Sequence, residues 1–130
     1  MSTETLLSEV DDQLLILSLR RRSMMLHEGF PTIVCLCGST RFMHQFQEAE
    51  YEETLAGRIV LTIGCDTKSD DMLRLGEGIK AKLDELHLRK VELADEVLVL
   101  NVGGYIGEST QRELDHAIRL GKRVRFLVPM

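Results

Sequence analysis

The 130-residue chain has no tryptophan and few aromatic residues of any kind, 5% in all. Flavin rings are usually held by stacked aromatic side chains, so this scarcity argues against a flavin-dependent electron carrier. There is no basic excess either: 16 Lys and Arg stand against 21 Asp and Glu, a net charge of −5. Neutralising the phosphates of a nucleic acid takes clustered cations. The one dense basic run, Arg20-Arg21-Arg22, is too short to supply them, and no nucleic-acid partner is expected. Cysteine is limited to 3 residues, too few for a disulfide framework and in keeping with a reducing cytoplasm. Two of them, Cys35 and Cys37, share one strand, where they should point to one sheet face and act as small apolar groups. No second Cys/His pair follows them at ligand spacing, so no metal is expected. Long apolar runs are missing too. Residues 14–19, Leu-Leu-Ile-Leu-Ser-Leu, cannot span a bilayer, and acidic residues precede them where a signal peptide needs positive charge, so neither membrane nor export is expected.

What the chain does have is an apolar stretch from Val34 to Cys37 that stops abruptly in Gly38-Ser39-Thr40-Arg41. Hydrophobic residues without alternation predict a strand buried on both faces, as in a parallel sheet. A strand that passes through a glycine turn into a helix aims backbone N–H groups at the strand's carboxyl end. With the helix dipole behind them, those donors form an anion site, suited to a phosphate or a sugar hydroxyl. Ending in Cys37 rather than a carboxylate, the strand does not suit a phospho-receiver.

From Pro31 onward strands and helices alternate. Strands are predicted over residues 32–37, 59–63, 96–100 and 123–128. Helices are predicted over 41–56, 79–93 and 110–120, with Gly57 and Gly121 as C-caps. Ile79, Leu83, Leu86, Val91 and Leu93 give the second helix its periodicity, and Leu114, Ala117 and Ile118 are predicted to face inward from the third. Residues 65–78 read as a polar loop with a short helical piece around Asp70 to Leu75. This alternation implies right-handed crossovers and an α/β three-layer sandwich, flavodoxin-like or Rossmann-like, with a four-stranded parallel sheet whose simplest order is 2-1-3-4. Its ligand should sit outside the strand carboxyl ends, between strands one and three. Residues 1–30 form a separate N-terminal extension. Its helix begins near Thr3 and carries an apolar stripe of Leu7, Val10, Leu14 and Leu17. The stripe either packs on the domain or pairs with a second subunit; Met24 or Met25 is an alternative start.

The 2-1-3-4 order brings Gly38–Arg41 beside a second loop, Asn101 to Thr110, whose glycines let backbone approach a ligand closely. That loop delivers Glu113 to the mouth of the same crevice. Two readings are open for this carboxylate. It can return to the Thr110 amide as the last member of a Thr-x-x-Glu capping box, or it can face the crevice as a nucleophile. Glu108 is a second candidate. Asp95 reads as structural, closing its helix, and His44 and His116 as solvated. Tyr105 is a candidate to stack on a base.

These residues resemble the nucleoside 2-deoxyribosyltransferase-like superfamily, which includes deoxyribosyltransferases, deoxynucleoside-monophosphate N-hydrolases and cytidylate N-glycosidases. Gly38-Ser-Thr-Arg41 is similar to the family's sugar- and phosphate-binding turn. Ala94 to Leu100, the glycines that follow, and Glu113 to Lys122 are similar to its catalytic half. The resemblance spans about Ile33 to Val128. It implies cleavage of an N-glycosidic bond in a nucleoside or nucleoside 5′-monophosphate, by hydrolysis or transfer, with no cofactor. Glu113 would be the nucleophile. Gly38, Ser39, Thr40 and Arg41 would hold the substrate's 5′ end, with Gly107 and Ser109 at the entrance of the glutamate's helix. Where the family usually carries an aspartate two helical turns before the Ala-Asp pair, this chain has His87, which can also supply a proton near neutral pH. The competing expectation is a surface histidine in contact with Asp84. Neighbouring subunits often complete such sites, so a homo-oligomer is expected. The alternative function is a nucleotide-binding sensor that does not turn over.

Overall fold

The computed structural model describes residues 12, 13, 15, 16, 19, 29–64 and 76–129. The chain divides into two compact units, Met1–Phe30 and Pro31–Met130, and the fold below is that of the second. The stripe from Leu7 to Leu17 and the helical piece around Asp70 to Leu75 lie outside the described residues.

Strand β1 (Ile33–Cys37) is buried at every position, as its unbroken apolar sequence requires. It is followed by a 3-10 turn (Thr40–Phe42) and helix α1 (Met43–Leu55), then by β2 (Ile59–Leu61) and helix α2 (Glu77–Leu93). After β3 (Glu96–Val99) come a second 3-10 turn (Val102–Gly104), helix α3 (Glu108–Arg119) and β4 (Arg123–Phe126). All strand pairs are parallel and the order is β2-β1-β3-β4, the flavodoxin-like arrangement predicted. The crossover from β1 to β2 runs one way across the sheet and those from β2 to β4 the other. Right-handedness therefore puts α1 on one face and α2 with α3 on the opposite face.

Alternation along the strands sorts their side chains between these faces. Val34 and Leu36 join Phe46 and Ala49 of α1, with Leu98 and Leu100, in one core. Cys35 and Cys37 point the other way, toward α2 and α3, on the shared face expected of them. The α1 face is only partly covered by its single helix, and an ion network occupies it towards β4. Glu53 and Glu96, both buried, share Arg58 and Arg125, which bonds both carboxylates at once. Among the described residues no helix is long and apolar enough to cross a membrane.

Two predicted helix faces need correction. Ile118 is 58% exposed, while Thr110, Glu113, Leu114 and Ala117 form the buried face of α3. On α2, Leu86 and Leu93 are exposed, and the inward positions at four- and three-residue steps are His87, Val91 and Ala94.

Candidate active site

At the end of β1 the chain turns through Gly38. A Cβ there would lie 3.1 Å from Leu100 Cβ and 3.4 Å from the Phe46 ring, so a side chain would force the turn away from its neighbours. Ser39 braces the 3-10 turn that follows: its Oγ accepts from the Arg41 amide at 3.3 Å and its carbonyl from the Phe42 amide at 3.0 Å. The Arg41 guanidinium sits 4.5 Å from the centre of the Tyr105 ring, a cation–π contact that joins the first loop to the second. Phe42 meets the same ring edge-on. Tyr105 thus has a structural partner in the protein itself.

Between these loops and α2 lies a cleft of about 510 Å³. Gly38, Ser39, Thr40 and Arg41 line one wall, Asp84, His87 and Lys90 a second, and Gly107, Glu108, Ser109 and Thr110 with Glu113 a third. The structure therefore brings together every residue expected at the site. Helix α3 begins at Glu108 with Gly107 as N-cap, and no side chain caps it. Its first-turn residues border the cleft, where unpaired helical N–H groups and the dipole favour an anion. This start overturns the capping-box reading of Glu113. Thr110 is the third residue of the helix rather than its N-cap, and the Gln111 amide donates to the Gly107 carbonyl at 2.9 Å.

Glu113 lies one turn deeper, 8% exposed, at the junction of the cleft with a smaller cavity of about 420 Å³ between α2 and α3. Its Oε2 is buried and has no hydrogen-bond partner, the single such side-chain atom among the described residues. Burial lifts its pKa from 4.5 to about 7, the charge on His87 opposing the rise and Cys35 and Asp84 adding to it. Carboxylates held in dry clefts with raised pKa values are a recurring mark of functional sites.

His87 is not the surface residue of the competing expectation. Asp84 pairs with Lys80 at 3.0 Å, whereas His87 is 6% exposed and reaches β1. Its Nε2 lies 2.9 Å from the Leu36 carbonyl, which can only accept, so Nε2 carries a proton there. The need for this donor is topological. On the same edge of β1 the Thr32 carbonyl receives the Ile59 amide of β2, but β2 ends at Leu61, short of the Leu36 carbonyl. The same nitrogen is 3.6 Å from Cys35 Sγ and 3.8 Å from Cys37 Sγ. Burial opposes its charging, but Cys35 and the Glu113 carboxylate outweigh this and the pKa is raised. Cys35, accepting a hydrogen bond from Cys37 and facing His87, falls to about 6 against the pull of burial, while the Cys37 thiol is pushed up by Cys35 and by burial. The two cysteines are thus more than apolar filler. With Nε2 they place three metal-ligating atoms within 4.8 Å of one another.

Other candidates take structural posts. Asp95 Oδ2 accepts from the Ile33 amide at 2.8 Å, securing the start of β1. His116 is 3.3 Å from Glu92, and exposed His44 pairs with Glu48 in the next turn. Asn101, which the sequence did not single out, is fully buried and bonds both backbone groups of Val128 at 2.9 Å. It fixes the root of the second loop. No family model, no curated protein and no solved structure matches this chain.

Proposed function

We propose that the chain cleaves the N-glycosidic bond of a nucleoside or nucleoside 5′-monophosphate, with Glu113 as the attacking carboxylate. The observation that carries this reading is Glu113 itself: an enclosed carboxylate, one oxygen without a partner, on a cleft whose far wall is the Gly38–Arg41 turn. A buried acid with a purely structural role would be expected to have both oxygens bonded. The resemblance to the deoxyribosyltransferase-like superfamily points to the same residue.

In the reaction, a Glu113 oxygen forms a bond to the anomeric carbon as the carbon–nitrogen bond breaks, and its electron pair leaves with the base. The base takes up a proton inside the cleft, which Asp84 and His87 line. Water or a second base then attacks the glycosyl ester and frees the carboxylate. Arg41 and the first turn of α3 hold the substrate's 5′ end between two sources of positive potential. With its Nε2 proton donated to the Leu36 carbonyl, His87 braces the end of β1 and sets its charge against that of Glu113. We expect this chemistry in the cytoplasm, where Cys35 and Cys37 stay reduced.

The test is incubation of the chain, in the presence of a chelator, with a panel of nucleosides and nucleoside monophosphates, following free base by chromatography. Release by the wild type, reduced by several orders of magnitude in Glu113→Gln and much less in Glu108→Gln, is the expected result. An amide of the same size cannot serve as the nucleophile. Near-normal release by Glu113→Gln would overturn the assignment. Tight nucleotide binding with no release from any substrate would identify a sensor.

A further inference from the structure

We infer that Cys35, Cys37 and His87 form a binding site for a divalent metal ion of the zinc class. The inference stands apart from the glycosidic reading, because it rests on the donor atoms alone.

Two thiols and an imidazole nitrogen are the donor set that such ions prefer. Their spacing also fits. With zinc–sulfur bonds of about 2.3 Å and a zinc–nitrogen bond of about 2.0–2.1 Å at tetrahedral angles, sulfur and nitrogen should lie about 3.6 Å apart. The observed separations from His87 Nε2 are 3.6 Å to Cys35 Sγ and 3.8 Å to Cys37 Sγ. The three ligands sit on rigid elements: the cysteines two residues apart on the central strand, the histidine on the helix packed against it. Cys35 and Cys37 are both unoxidised thiols.

A second observation points to the same place. Glu113 interacts with Cys37, and its Oε2 is the buried oxygen without a hydrogen-bond partner. A carboxylate beside two thiols and an imidazole adds negative charge for a bound cation, whose fourth position is open to water from the cleft. Ions have a route in, since His87 and Glu113 both border the cleft. The cysteines bind as thiolates, any remaining thiol proton passing to solvent, and Nε2 exchanges its bond to the Leu36 carbonyl for the metal while the ring's proton moves to Nδ1, so that the imidazole ligand stays neutral.

Cobalt(II) is the probe. Added to reduced, chelator-treated full-length chain, it should give one equivalent of binding, thiolate-to-cobalt charge-transfer absorption and the intense visible bands of tetrahedral coordination. Zinc should displace it. Cys35→Ala and Cys37→Ala should each weaken cobalt binding at least about a hundredfold, Glu113→Gln should weaken it less, and Cys65→Ala should leave it unchanged. Cys35→Ser and Cys37→Ser, which keep the volume, replace any alanine variant that does not fold. No charge-transfer band in the wild type would overturn the site, as would an unchanged band in a folded Cys35 variant. None of these readings uses a nucleoside, so an inactive glycosidase leaves a positive metal result intact.

Discussion

Replacing Glu113 by glutamine should make the protein more stable above neutral pH. The folded chain raises the pKa of this carboxyl from 4.5 to about 7, chiefly by burial. Between those two values the native state holds a proton that the unfolded state has released. Stability therefore falls as pH rises through this window, and the whole penalty is in place above about pH 7. At about 1.4 kcal/mol for each tenfold change in proton affinity, the penalty is about 3 kcal/mol. Glutamine carries no charge to desolvate. It does bury an amide donor where Oε2 finds no partner, which costs about 1–2 kcal/mol. The net expectation is a gain of about 1–2 kcal/mol for Glu113→Gln at pH 8, vanishing or reversing by pH 4.5. Urea unfolding of metal-free wild type and variant at both pH values measures it. A variant no more stable than wild type at pH 8, or a difference that does not change with pH, would refute the account of Glu113 as a charge held in a dry site.

Arg41→Ala should weaken binding of nucleoside monophosphates about ten- to a hundredfold, the worth of a charge-assisted contact, while leaving unphosphorylated nucleosides nearly unaffected; titration calorimetry with matched pairs reads the difference. Arg125→Ala removes the cation shared by buried Glu53 and Glu96 and should destabilise the fold by about 2–3 kcal/mol, less than a fully enclosed pair would because Arg125 is itself partly exposed. Chemical denaturation checks this, and a loss under about 0.5 kcal/mol would show that Arg58 alone holds the two carboxylates. Light scattering at micromolar concentration should return a multiple of the chain mass; a single chain mass would refute the homo-oligomer.

The sheet was legible because its signals are local. The unbroken apolar run of β1 and the regular alternation after Pro31 point to a parallel α/β sheet, and the simplest order for one, 2-1-3-4, is the order found. The start of α3 was misread for an equally local reason. Thr110 advertises a cap by its hydroxyl, whereas Gly107, the true N-cap, contributes only backbone. That displacement of the N-cap by three residues is what made a capping box of Glu113. His87 did leave a trace, since it stands on α2 four residues before Val91, and seven before Ala94, on the face that packs inward. Its contact with Cys35 and Cys37 left none, because ligand spacing along a chain says nothing of a strand and a helix meeting in space. The Glu53–Arg125 pairing, 72 residues apart, lies equally beyond any sequence window.

The Asn101 side chain mimics a strand rung, offering Val128 a donor and an acceptor as a backbone would. The root of the loop that leads to α3 is thereby tied to the segment that follows β4. During synthesis, β1, α1, α2 and β3 can emerge and collapse together, and Tyr105 can meet Arg41 and Phe42, but Asn101 has no partner until residue 128 has followed. Glu113 is translated before that latch exists. The groups that shift its acidity, on β1 and α2, are made before it. The loop at the entrance of α3 is therefore the last part of the site to be fixed.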